Sequence, residues 1–479
     1  MLRPAVRIPP QLRLDAALKH PSIPSTVAAA ALATLGLSQT ATAGELTWEG
    51  HYRARAELFD SLSLSNTNPN AEESQWSMDH RARLQPGWHL SDRVSLHTQL
   101  DLLPYTLWGD EVQTRTYAVG GATEPLLFSD TVAAPTTADG ATTPANLRVT
   151  RLWGEVQTNF GQVVFGRTPL HWGTGMVFNA GNDPTSEFGD TTDRVLVTGR
   201  TGDVFLMGGL EQRVEGYVNL KDDYRGVVAS VLYQAEQAGI GVYGTYRWRN
   251  EEQGRFNTGI IDLWGEATMG AASIEGELAA ILGGDDLDEN TNDIRVSQFG
   301  GNLRVGFHPD RLRLGVLTGF ATGDADRADN RLRTFSFDPD FNVSLLLFEE
   351  PMPVLTPAAA NEANANRTTA AARTGYAINN ALFFRPRVGW QLHDTLAVDA
   401  AWFVAGQAKA DEASGDAKRG YGSEVNLDLR WDPFPHFWIR GTGAVMLPGA
   451  YYTEFTDDDL GGGFDQPALG GRLLTTVEF

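Results

Sequence analysis

Cysteine is absent from this chain. That excludes disulfide scaffolds, thiolate metal sites and cysteine nucleophiles together. Long apolar runs are missing too: none approaches the ~20 residues a spanning helix needs, and the mean hydropathy is only −0.25. Positive charge is scarce. Lys and Arg total 38 against 60 Asp and Glu, a net charge of −22 over 479 residues, which argues against a general nucleic-acid binder. No GxSxG, HExxH or P-loop motif occurs, so the familiar hydrolase, zinc-protease and nucleotide signatures are missing. What is present is glycine, 51 residues, about 11% against a usual ~7%, with 10% aromatics and 42% hydrophobic residues. That composition fits an outer-membrane β-barrel or a secreted all-β protein.

The N-terminus reads as a removable address. Arg3, Arg7, Arg13 and Lys19 precede the apolar run Val27–Leu37, and Ala41-Thr42-Ala43 follows as a cleavage pattern. This order is that of a secretory signal peptide. Removing residues 1–43 leaves a single domain, 44–479, with 34 basic and 59 acidic residues and a net charge of −25.

The remaining chain alternates with period two over unusual lengths. From Gly44 to Phe59, Leu46, Trp48, Tyr52, Ala54, Ala56 and Leu58 share one face, and Glu45, Glu49, His51, Arg53, Arg55 and Glu57 the other. Ordinary strands average ~5–6 residues, whereas a tilted spanning strand needs ~9–11. Inside a bilayer strands satisfy their backbone only by closing into a barrel. The pattern recurs and predicts an all-β, transmembrane antiparallel barrel of about 18 strands (16–18). They lie near 45–59, 74–89, 93–102, 147–158, 162–168, 192–199, 203–210, 224–235, 239–250, 255–269, 273–282, 294–307, 311–322, 379–391, 395–406, 420–431, 435–446 and 468–479. Short turns alternate with long polar connections at 60–73, 103–146, 284–293, 323–378, 408–419 and 448–466, as periplasmic turns and outer loops do. Tryptophans and tyrosines on the strands, Trp264 and Trp438 among them, are expected in interfacial belts. Such a barrel encloses an aqueous channel unless loops fill it.

Two features carry a family resemblance. The terminal LLTTVEF, ending in Phe479, looks like the C-terminal signature of bacterial outer-membrane proteins, which implies recognition by the insertion machinery. The segments FGRTPLHWGTGMVFNAGNDPTSEFGDTTDR (165–194) and FSFDPDFNVSLLLFEE (335–350) resemble an uncharacterised family of predicted outer-membrane barrels known mainly from myxobacteria. More broadly the chain is similar to the porin and alginate-export group. The resemblance implies a barrel in the outer membrane among lipid and lipopolysaccharide. It brings no catalytic residue.

The candidate pore lining is Arg53, Arg55, Asp79, Arg81, Arg83, Asp101, Glu155, Arg247, Arg249, Glu275, Glu277, Arg385, Arg387, Glu424 and Asp428. The arginine pairs are spaced by two and so share a strand face. Such ladders either tune ion selectivity or pair across strands as plain structure. The irregular stretch 165–194, with Arg167, His171, Trp172, Asn179, Asp183, Asp190, Asp193 and Arg194, is expected to fold inward as a constriction or as a packed plug, because irregular backbone at membrane depth must be buried or line a wet cavity. The apolar run Val343–Phe348 is expected in the barrel mouth or against a partner. Acidic groups at Asp285, Asp286, Asp288 and Glu289, at Asp324, Asp326 and Asp329, and at Asp457–Asp459 match no EF-hand loop and read as solvated outer loops.

Passive passage of small hydrophilic solutes, without enzymatic chemistry, metal or cofactor, is the leading expectation. A polysaccharide export conduit, a plugged structural or adhesive barrel and a barrel-embedded hydrolase remain open beside it.

Overall fold

Period-two alternation becomes, in three dimensions, a sheet whose two faces meet different media. The computed structural model describes residues 44–64, 74–109, 147–212, 225–251, 254–287, 294–326, 329–350, 377–410, 418–454 and 464–479. The expected signal segment 1–43, Asp288, Glu289 and Asp457–Asp459 lie outside them.

The elements are β1 (Glu45–Asp60), β2 (Ser74–Ser91), β3 (Val94–Gly109), β4 (Leu147–Thr158), β5 (Gly161–Pro169), β6 (Thr191–Thr201), β7 (Val204–Gln212), β8 (Arg225–Gln234), β9 (Ala238–Glu251), β10 (Gly254–Met269), β11 (Ala272–Leu287), β12 (Arg295–Phe307), β13 (Leu312–Ala321), β14 (Arg331–Leu332), β15 (Ala381–His393), β16 (Leu396–Gln407), β17 (Gly420–Phe434), β18 (Phe437–Pro448), the single-turn helix α1 (Ala450–Thr453) and β19 (Ala468–Glu478). All but β14 form the wall, an antiparallel barrel of 18 strands in which each strand pairs with its neighbours in sequence. It closes where β1 pairs with β19, from His51 opposite Glu478 to Asp60 opposite Leu469. The two-residue β14 pairs in parallel with β12.

Outward positions are apolar and exposed, Leu58, Leu152, Val195, Leu263, Leu278, Leu427 and Leu473 among them. This is the surface a bilayer covers, and burial there is favourable because lipid, unlike water, accepts it at no hydration cost. Trp48, Trp390 and Trp431 lie on this face, near the end with the short turns.

The interior has two unlike halves. One arc, on β1 to β4, carries buried His51, Arg53, Arg55, Arg81, Arg83, Gln99, Asp101 and Arg151. The facing arc, β8 to β16, turns Val228, Tyr243, Ile260, Ile281, Val296, Leu317, Phe383 and Phe403 inward. Those side chains meet Leu170, Met176, Phe178, Phe335, Phe337 and Leu345–Phe348 from two connecting segments, forming an apolar core inside the barrel. Trp264 and Trp438 correct the belt expectation. They are 7% and 4% exposed, because they stand on the inward parity of β10 and β18, and their indole N–H groups donate to Glu275 (3.2 Å) and Glu478 (2.8 Å).

Two predicted loops begin later than expected. β3 runs on to Gly109, with Trp108 opposite Met78. Pro104 lacks the N–H a ladder needs, and the β2–β3 register shifts between His80 and Ala82 to pass it. β11 continues through Gly283-Gly284-Asp285-Asp286 because β10 pairs with it out to Gly254. The acidic group on 324–329 is not simply solvated: Asp324 is buried, and Arg333 donates to Asp324 (2.9 Å) and Asp329 (2.8 Å).

Arginine at Leu427, midway along β17 on the lipid face, is expected to cost about 2–4 kcal/mol of unfolding free energy, against at most about 1 kcal/mol at Phe434 beside its turn. Urea titration of the protein folded in lipid vesicles measures both. Equal costs at the two positions would contradict the assigned outer face.

Candidate functional site

The connection between β5 and β6, Leu170 to Asp190, crosses the lumen. Its turns rest on glycines with positive φ, and Gly181 (φ 60) is the strictest: a Cβ there would stand 1.7 Å from the Phe188 carbonyl oxygen. Arginines of the polar arc hold the main chain of this segment. Arg53 donates to the carbonyls of Pro184 and Ser186, both at 2.9 Å. Arg81 donates to Ser186 (3.0 Å) and Arg83 to Gly181 (2.6 Å). Arg151 donates to the Ala180 carbonyl and to Asn182 Oδ1 (2.7 Å). Asp101 braces Arg83 at 2.7 and 2.9 Å, and Arg55 pairs with Asp79 and Glu187. Charge-assisted bonds of this kind are about twice as strong as neutral ones.

On the far side Glu277 of β11 accepts from the Thr174 N–H (2.5 Å) and hydroxyl (2.6 Å), and Asn302 of β12 donates to that hydroxyl (2.8 Å). Trp172 and Phe178 pack on Tyr243 of β9, each with ring centroids 5.4 Å apart. Arg247 pairs with Glu211 (2.7 Å) and lies over the Phe178 ring at 5.5 Å. The segment is thus held from β1, β2 and β4 across to β9, β11 and β12.

A second segment, Phe335 to Glu350, lies on the first. Phe335 seats on Gly300 of β12, where any Cβ would meet its ring at 2.3 Å. The Asp338 N–H donates to the Met176 carbonyl (2.7 Å), and Asp340 Oδ1 accepts from the N–H groups of Glu187 (2.9 Å) and Phe188 (3.1 Å). Phe348 meets Phe403 and Tyr421 edge-on. The run Val343–Phe348, expected at the mouth or on a partner, is buried inside the barrel. Glu424 of β17 accepts the N–H groups of Leu345 (2.8 Å), Leu346 (3.1 Å) and Leu347 (2.8 Å).

Between these segments and the wall from β12 round to β1 remains a cavity of about 310 Å³. Arg55, Arg304, Arg385, Arg440 and Arg472 line it against Asp183, Asp340 and Asp428. Arg440 pairs with Asp428 (2.9 Å) and Arg472 with Glu57 (2.6 Å), while the Arg385 Nε–H makes no hydrogen bond among the described residues.

The other sequence candidates lie apart from this cavity or brace it. Arg167 pairs with Asp193 across β5 and β6 (2.8 Å), and Arg194 donates to Thr168 (2.5 Å) and the Pro169 carbonyl (2.6 Å). Asp183 caps the turn at Thr185 (2.7 Å), the Asp190 N–H donates to the Asn179 carbonyl (2.7 Å) while Asp190 Oδ2 accepts from the Asn179 N–H (3.0 Å), and His171 Nδ1 accepts from Ala180 N–H (3.4 Å). Glu155 meets Trp153 and Gln162, Glu275 meets Arg304, Arg387 lies 3.8 Å from Asp399, and Arg249 is half-buried. Phe479 faces outward and its backbone exchanges bonds with Gly50. Sequence reading missed Arg151, Arg304, Arg440, Arg472, Asp338 and Asp340. The four arginines sit on inward parities and were findable there. The two aspartates belong to a segment whose position depends on contacts far away in sequence. No group of His, Cys, Asp or Glu suited to a metal occurs among the described residues.

No protein-family model matches the chain, and no curated protein sequence does. Its fold is similar to that of several solved structures, one of them a porin by name. OccK9 (OpdG) of Pseudomonas aeruginosa superposes with a TM-score of 0.53 at 12% identity, covering 91% of this chain and 99% of that one. A BenF-like porin from Pseudomonas fluorescens Pf-5 gives 0.53 at 10% identity over 91% and 98%, and Pseudomonas aeruginosa OpdQ gives 0.52 at 9% over 91% and 97%. At such identities the likeness is one of fold.

Asp340 makes the seam between the two segments sensitive to pH. Burial pushes its carboxyl up to about 6, although its backbone bonds, Arg81 and Arg53 pull the other way. A carboxyl raised in the docked state stabilises docking fully below its free value and loses that contribution as pH rises through about 6. From a free value of 3.8, the loss is about 3 kcal/mol. A fluorophore at Asn342→Cys is expected to become more accessible to a quencher between pH 4 and 7. Asp340→Asn, which keeps the acceptor oxygen, should flatten that rise, and an unchanged profile would refute the assignment.

Proposed function

We infer that the protein is an outer-membrane channel for passive passage of small hydrophilic solutes, with a preference for anions. The observation that carries this reading is the polar cavity beside the inward segments, with five arginines facing three aspartates. A lining of one predominant charge sets selectivity by concentrating the opposite ion, and Arg385 brings its guanidinium to that cavity. In this reading residues 1–43 direct export and are removed, leaving 44–479 as one barrel, and Phe479 on the closing strand serves recognition during insertion beside lipid and lipopolysaccharide. The reading assigns no catalytic residue, metal or cofactor.

A plugged structural barrel is the second reading, favoured by the apolar core inside the wall. A polysaccharide conduit fits less well, since a long polymer needs a continuous bore.

In planar bilayers the purified protein is expected to give discrete channels with chloride preferred over potassium. Replacing Arg385 and Arg440 by Ala should lower the chloride-to-potassium permeability ratio at least about twofold. Absence of conductance supports the plugged barrel, and an unaltered ratio removes these arginines from the selectivity path.

A further inference from the structure

The two inward segments are not held alike. Leu170 to Asp190 is bound by arginines and acids on both sides of the lumen. Beyond Asp340, the second segment ties to the wall chiefly through one carboxylate. Glu424 is fully buried on β17 and gathers three consecutive backbone N–H groups, those of Leu345, Leu346 and Leu347, with Asn426 Nδ2 donating to the same carboxylate at 2.5 Å. The pair Arg472–Glu350 adds a looser tie at 3.6 Å. Apolar packing of Phe341, Val343 and Leu345–Phe348 surrounds these ties and has no preferred direction. Phe341 to Leu345 also line the cavity, so the position of this segment fixes how much of the lumen is open.

We propose that Glu424 is a positioning residue that sets the bore of the channel by clamping the 341–350 segment onto β17. The inference rests on the channel reading. A carboxylate satisfied by several N–H donors in a low-dielectric interior is a strong, directional anchor. Removing it leaves three buried donors unsatisfied, which favours displacement of the segment toward water.

The chain has no cysteine, so a staple can be introduced cleanly. A Cβ at Gly470 would stand 3.2 Å from Leu346 Cγ, one bond from the Leu346 Cβ, so this facing pair is the choice for a staple, which needs about 3.5–4.5 Å between Cβ atoms. Single-channel conductance is then compared for the parent, Glu424→Ala, Glu424→Gln, and Glu424→Ala carrying Leu346→Cys with Gly470→Cys. Folding of each is verified by heat-dependent gel migration. Glu424→Ala is expected to raise conductance at least about twofold. Glu424→Gln, which keeps one acceptor oxygen, should raise it less. The oxidised staple should return the alanine variant to the parent value and reduction should release it again. Parent-like conductance in the Ala and Gln variants, or no difference between oxidised and reduced staple, overturns the clamp while leaving the channel reading intact. No conductance from the parent or any variant overturns both.

Discussion

Everything in this molecule depends on one requirement: a backbone surrounded by lipid must find all its hydrogen-bond partners within the protein. Pairing of β1 with β19 meets it by removing the free edges of the sheet. Closure then fixes the rest. Strands must be long, every second side chain must tolerate lipid, and the others are enclosed whether or not they suit one another. An 18-strand wall encloses more space than its own side chains fill, and the connecting segments make up the difference.

The way they do so gives the arginines a different character from a bare selectivity ladder. Burying a guanidinium is costly unless its donors are used. Arg53, Arg81, Arg83 and Arg151 use theirs on carbonyls between Ala180 and Ser186, so the charges that a wet pore would present to solute are instead spent on main chain. Arg385 and Arg440 stand at the cavity, on β15 and β18.

How much of this was legible follows from the range of the forces involved. Strand positions could be read because alternation is local: each residue on β1 or β17 declares its face through its own polarity. An inward course was also suggested for 165–194, since its glycines and polar residues do not suit a lipid-facing wall, although only Leu170–Asp190 takes it and the two ends belong to β5 and β6. Its anchors were not, because Arg83 and Gly181 lie 98 positions apart and neither advertises the other. Trp264 misled for a related reason. A tryptophan suits an interface or an apolar interior, and only the parity of β10 decides between them. The end of β3 was hidden by Pro104, which normally ends a strand but here coincides with a register shift. The apolar run Val343–Phe348 was recognisably unsuited to water, yet nothing nearby in sequence shows that Glu424 would receive its backbone.

The carbonyl-directed grip of the arginine arc bears on how such a protein can change over generations. The bonds from Arg53, Arg81 and Arg83 to the Pro184, Ser186 and Gly181 carbonyls do not depend on which side chains those positions carry, apart from Gly181, where no Cβ fits. Thr185, which faces the cavity, can be exchanged while its backbone N–H still meets Asp183. Position and chemistry are thereby inherited separately, and a lineage can revise what its lumen presents while keeping the architecture that presents it.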